Sequence, residues 1–264
     1  MNIFLRELKA NFKSLLIWSG IILLLIVIAV GKFAAFAGDP EMLKMLDTMP
    51  PALLDTFGMR AFNLTTLTGF YGVMFIYFGL MGAIAAALWG SDSISKEERD
   101  KTVELALVLP VSRSQVVTAK ALAALVNCVA FVLITWGISL IAVQSYTPDP
   151  AFYKFLALEM QAMLAIEVVF LAVGLLLGCG LKHYKIAGPL MVGIILTTYF
   201  MSVATALDKR LDWLKYLTPF KYFDAAGFLQ SGRLERGYLL LTAGIAAVCV
   251  TAAYQLYRRR DLYI

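Results

Sequence analysis

The sequence is poor in charge. Asp, Glu, Lys and Arg make up 16% of its 264 residues, against about a quarter in average soluble domains. Hydrophobic residues make up 61%, and the mean hydropathy is +0.79. A water-soluble domain is thereby excluded. Cysteine is also scarce. Cys128, Cys179 and Cys249 are scattered through apolar runs, with no C-x-x-C spacing, so neither a disulfide framework nor a zinc motif is present. They read as small apolar packers. There is one histidine, His183, set among lysines in a short polar turn, where it makes a poor metal ligand or catalytic base. No G-x-x-x-x-G-K-[ST], H-E-x-x-H or G-x-S-x-G occurs, so nucleotide binding by a P-loop, zincin chemistry and a nucleophile elbow have no support.

The chain does carry long apolar runs. A membrane-crossing helix needs about 20 largely apolar residues. Uncharged runs of suitable length lie at 14–31, 61–91, 121–148, 186–207 and 237–257. A sixth, 151–181, is interrupted by Lys154, Glu159 and Glu167. The prediction is an all-α integral membrane protein forming one domain over 1–264, with spans near 15–36, 66–90, 115–145, 152–181, 186–207 and 237–257. The alternating pattern of outer-membrane barrels is absent.

Orientation follows from Lys and Arg in the loops. Thirteen of the 23 fall before span one, between spans two and three, between four and five, and after span six; the other ten are spread over longer segments. The first group is expected in the cytoplasm, together with both termini. The modest net charge of +5 reads through this asymmetry and not as a nucleic-acid signal. Ala35-Phe36-Ala37 resembles a signal-peptidase site, but the preceding run is too long for a signal core, and no cleavage is expected.

Residues 1–14 carry two stripes. Leu5, Leu8, Phe12 and Leu15 share one helical face, and Arg6, Lys9 and Lys13 another. An interfacial helix is expected here, basic side toward the headgroups; a simple extension of span one is the alternative.

Residues 93–120, SISKEERDKTVELALVLPVSRSQVVTAK, crowd charges between two oily runs. Trp89 is expected to close span two, and Gly90-Ser91-Asp92 follows it. A helix is predicted from about Ile94 to Val108, supported by Glu97 and Lys101 at i,i+4. Pro110 cannot continue it. Ser112 with Gln115 three residues on fits a capping box, so a new helix should start there. The first helix is amphipathic and reads either as a docking element for another protein or as a solvated loop on the headgroups.

Glu97-Glu98, Thr102, Glu104-Leu105, Pro110, Ser112-Arg113 and Lys120, at these spacings, resemble the signature of ABC-2 type transporter permeases. Met49-Pro50-Pro51-Ala52-Leu53-Leu54 with Phe57-Gly58, then Leu217-Thr218-Pro219-Phe220, then Tyr257-Arg258-Arg259-Arg260-Asp261-Leu262 resemble further pieces of that family, over nearly the whole chain. The resemblance implies the transmembrane subunit of a bacterial ABC exporter, non-catalytic itself, in the inner membrane. It implies a second permease copy as a homodimer or related chain, and a separate ABC ATPase at the cytoplasmic face that holds ATP and Mg. It makes the 93–120 segment the coupling element, with Glu97, Glu98, Thr102, Glu104, Pro110, Ser112, Arg113 and Lys120 as its residues. No cofactor, metal or nucleic acid is implied for this chain. A pairing of Glu104 with Arg113 is expected to stiffen the segment.

Glu159 and Glu167 stand about 80° apart on one helix. They read either as lining a path, which would also suit an ion-coupled secondary transporter, or as structural carboxyls packed between helices. Gly174-x-x-x-Gly178 and the Gly79, Ala83, Ala87 row read as intrachain packing or dimer contact. Trp213, Tyr216, Phe220, Tyr222, Phe223 and Phe228 mark 208–236 as an interfacial loop of short helices, capping an exit or serving as an anchoring belt. Short outer loops favour a hydrophobic or amphipathic cargo such as a drug, peptide antibiotic or lipid.

Overall fold

The computed structural model describes residues 3–37, 48, 50, 54, 62–99, 111–181 and 184–259. Among these, every regular element is a helix. Six are long and apolar enough to cross a membrane: α1 (Ile3–Phe36), α2 (Leu67–Arg99), α3 (Arg113–Ala142), α4 (Pro150–Gly180), α5 (Tyr184–Leu207) and α8 (Arg236–Arg259). Between α5 and α8 lie a 3-10 helix (Lys209–Leu217) and two short helices, α6 (Pro219–Tyr222) and α7 (Ala225–Ser231).

The starts of the helices are written locally. Ser112 caps α3 with the predicted reciprocal box: its Oγ accepts from the Gln115 amide, and its own amide donates to the Gln115 side chain. Asp149 caps α4, accepting from the Phe152 amide at 2.8 Å, with Pro150 at the first helical position, where a missing N–H costs nothing.

α2 and α4 form the central pair, with α8 against α4, α5 against α2, and α3 carrying α1 on its far side. The α2–α4 approach is close because both helices are small where they cross. A Cβ on Gly174 would sit 2.4 Å from the Ala87 carbonyl oxygen, and one on Gly90 would sit 2.5 Å from that of Leu171. The glycine row is thus intrachain packing. The span windows of α2 and α4 are 61% and 67% buried inside the chain, against 22% and 11% for α5 and α8. The bare faces remain apolar, as with Phe200, Leu240 and Val248, which suits lipid or a second membrane chain.

Two expectations are corrected. Residues 3–14 form no separate helix but extend span one, the alternative reading: α1 runs unbroken through Ser14 for 34 residues, about 51 Å at 1.5 Å per residue. That exceeds the roughly 30 Å hydrocarbon core, so one rigid rod serves both segments. Glu7, near the start of the rod, is buried beside Lys120 of α3. Nor does α2 stop at Trp89. It continues through Gly90-Ser91-Asp92 to Arg99, because Gly90 is a packing glycine pressed on α4 and not a helix terminator. The connection between α5 and α8 forms short helices as expected.

Candidate functional site

The first two turns of α3 are the meeting point of one end of the bundle. Arg113 Nη1 donates to the carbonyl oxygens of Tyr257 and Arg258, both at 3.3 Å. These belong to the last turn of α8, where carbonyls have no intrahelical donor and a cation is favoured. One turn deeper, Thr118 Oγ1 lies 2.6 Å from the Tyr254 hydroxyl and 2.8 Å from the Ser114 carbonyl oxygen. The Thr118 proton serves the carbonyl, so Tyr254 is the donor of the other bond.

Lys120 lies deeper still and is 1% exposed. Its Nζ donates to the Ser93 carbonyl at 2.5 Å and stands 3.7 Å from a Glu7 carboxylate oxygen. One α3 residue thereby ties α1 and the end of α2. Trp89 adds a bond from Nε1 to Ser14 Oγ at 3.0 Å, joining the same two helices. The start of α3 is thus joined by polar contacts to α1, α2 and α8, and the Lys120 contacts are the buried ones.

Of the sequence-predicted coupling residues, Ser112, Arg113 and Lys120 are brought together here. Glu97 and Glu98 fall on the last turns of α2, with side chains outside the described residues. Thr102, Glu104 and Pro110 lie outside the described residues, as does the expected Glu104–Arg113 pairing. So do His183, most of the first outer loop motif, and Arg260 to Leu262. Sequence reading missed Glu7, Thr118 and Tyr254. For Glu7 a signal existed: it is an acidic residue inside a basic, amphipathic stretch that would otherwise suit anionic headgroups.

Glu159 and Glu167 both face the interior of this one bundle and are fully buried. The Glu159 carboxyl has no hydrogen-bond partner among the described residues, and the one hydrogen-bonding side chain beside the Glu167 carboxyl is the Cys128 thiol. Glu167 lies beside Cys128 of α3 and against Gly82 of α2; a Cβ there would fall 2.7 Å from its Oε1. Glu159 lies within electrostatic reach of Tyr71 of α2, which neighbours Ser139 of α3. A fully buried carboxyl is costly in an apolar setting, so both positions are structurally expensive. The two are eight residues apart and occupy different layers. They form no pair, and among the described residues no three His, Cys, Asp or Glu side chains cluster as metal ligands.

At the opposite end, Tyr146 donates to the Val30 carbonyl at 3.3 Å and its ring meets Phe33, closing α1 onto the α3–α4 turn. In the α5–α8 connection, Phe220, Tyr222, Phe223 and Phe228 are buried, whereas Trp213 and Tyr216 are exposed. Burial raises the Tyr222 phenol above its ordinary range, and its hydroxyl bonds to the Tyr216 carbonyl.

No curated protein matches the chain. The sequence pattern of ABC-2 family transporter proteins matches residues 1–262, essentially from end to end. With six apolar helices and a polar junction gathered at one end, the chain belongs to the ABC-2 transporter family and is a membrane permease subunit of an ABC transporter, a family whose members associate with an ABC ATPase.

Proposed function

We propose that this permease exports a hydrophobic or amphipathic substrate across a bacterial inner membrane, driven by ATP that a separate ATPase chain hydrolyses at the 93–120 end of the bundle. The observation that carries this reading is the α3 junction. Arg113, Thr118 and Lys120 fix the start of α3 to α8, α1 and α2. A push on the segment leading into Ser112 is delivered to four spans at once. Glu97, Glu98, Thr102 and Glu104 precede that point in the chain and are the proposed contacts for the ATPase, with ATP and Mg held by that partner. The junction end also gathers Arg6, Lys9, Lys13, Lys96, Arg258 and Arg259, which supports a cytoplasmic placement of it and of both termini. The uncovered apolar faces of α5 and α8 support a second permease copy or lipid around them.

The test is purification in mild detergent from the native host, with mass spectrometry asking whether a P-loop ATPase copurifies. It is repeated with Glu97, Glu98 and Glu104 all changed to Lys. ATPase bound to the wild type and lost from the variant is expected. A second reading, ion-coupled transport through Glu159 and Glu167, is favoured by the full burial of both carboxyls. A folded wild-type chain that carries no ATPase would favour that reading over the first.

A further inference from the structure

The connection between α5 and α8 forms an open pocket of about 180 Å³, lined by Lys215, Lys221, Tyr222, Arg233, Glu235 and Tyr238 among others. Drug-sized ligands occupy sites of about 300–1,000 Å³, so this pocket is sized for a headgroup or fragment. Its floor is fixed. The Tyr222 and Tyr238 rings stack at 5.2 Å with 7° between planes, and Tyr222 is held further by its bond to the Tyr216 carbonyl.

The charges around it divide into two kinds. Lys215 is neutralised by Asp212 at 2.5 Å, and Lys221 by Asp224 at 2.6 Å. Asp224 is itself fixed as the cap of α7, accepting from the Ala226 amide. Arg233 and Glu235 are different. Both are exposed, and neither makes an ion pair with the other or with another described side chain. The Tyr238 hydroxyl lies within electrostatic reach of both Lys215 and Glu235, so the polar tip of the aromatic wall sits among these charges.

One uncommitted cation and one uncommitted anion on a single small pocket suit a ligand carrying both charges. A simple anion would meet Glu235, and a simple cation would meet Arg233. The pocket stands at the start of α8, a helix apolar enough to cross a membrane that begins at Arg236, and tyrosines at such ends sit at headgroup depth. We propose that this pocket binds the headgroup of a zwitterionic phospholipid with a primary ammonium, phosphoethanolamine in chemistry. Arg233 takes the phosphate and Glu235 takes the ammonium. The assignment is independent of the cargo, of the ATPase and of which leaflet the pocket faces.

The test uses the full chain in nanodiscs of phosphatidylcholine with an equal share of phosphatidylethanolamine or phosphatidylglycerol, and native mass spectrometry of the lipid retained on release. Wild type should retain phosphatidylethanolamine over both others. Arg233→Gln should lose about tenfold of all phospholipid retention, the scale of one charge-assisted contact, and Arg233→Lys should restore most of it. Glu235→Gln should keep binding but lose the preference for phosphatidylethanolamine over phosphatidylcholine, whose quaternary ammonium donates no hydrogen bond. On wild type alone, glycerophosphoethanolamine should show a broadened phosphorus NMR line where glycerophosphoglycerol does not. Retention in proportion to bilayer composition, a preference for phosphatidylglycerol, wild-type behaviour in both neutralising variants, or an unbroadened line would each overturn the assignment.

Discussion

Lys120 and Glu7 are separated by 113 positions in sequence and by 3.7 Å in space, and both are almost fully buried. Their pairing makes the start of α1 and the start of α3 one mechanical body. A buried pair of this kind matters more for what its loss leaves behind than for its own net energy.

Lys120→Met strands the Glu7 carboxylate and should destabilise the chain by about 3–5 kcal/mol. Glu7→Gln together with Lys120→Met should cost less than the two single changes added. The measurement is thermal or denaturant unfolding of all four proteins in one detergent, read as a double-mutant cycle. Additive costs would show that the pair is not coupled.

Gly174→Ala places a methyl group on the Ala87 carbonyl, a backbone atom that cannot swing aside. The central helices must separate, at a cost of about 1–3 kcal/mol. Gly193→Ala meets nothing within 4 Å and should be neutral or stabilising, since alanine is the better helix former. Unfolding midpoints of the two variants should therefore move apart.

Gly82 gives room to the Glu167 carboxyl, so Gly82→Ala should destabilise the bundle. Shortening the carboxyl with Glu167→Ser should recover part of that loss, the nearby Met163 contact at 3.0 Å accounting for the remainder. Glu167→Gln keeps the shape and should leave transport nearly unchanged if the residue is packed as a neutral acid. Complete loss of transport at normal expression would assign it to a pathway.

Arg113→Ala removes the cation from the last carbonyls of α8 and should cost about 0.5–2 kcal/mol in stability. Transport per ATP hydrolysed should fall further than stability does, because the α3–α8 link is lost. Glu104→Ala should raise the ATP hydrolysed per substrate moved while the complex stays assembled. Reconstituted ATPase and transport assays on the same preparations check both; unchanged coupling in Glu104→Ala would remove that residue from the proposed role.

The capping of α3 was legible because Ser112 and Gln115 act within one turn, through bonds that need no other part of the chain. The spans were legible for a similar reason: a run such as 186–207 has nowhere to go but an apolar phase. The continuation of α2 past Trp89 was not legible because a glycine looks alike whether it ends a helix or admits a neighbour, and only the Leu171 backbone beside Gly90 decides which. The continuity of α1 was left open for the same kind of reason, since its amphipathic stripes suit a headgroup surface as well as they suit α3.

By itself the sequence determined the number of apolar helices, the charge asymmetry of their loops and the family to which the chain belongs. These rest on composition and short spacings, which act locally. Tertiary structure alone decided that Lys120 meets Glu7, that Arg113 closes on Tyr257 and Arg258, and that Glu159 and Glu167 turn inward in separate layers. Each of those depends on the crossing of helices far apart in the chain, and crossing is set by how small and large side chains interlock across an interface, which no single segment specifies.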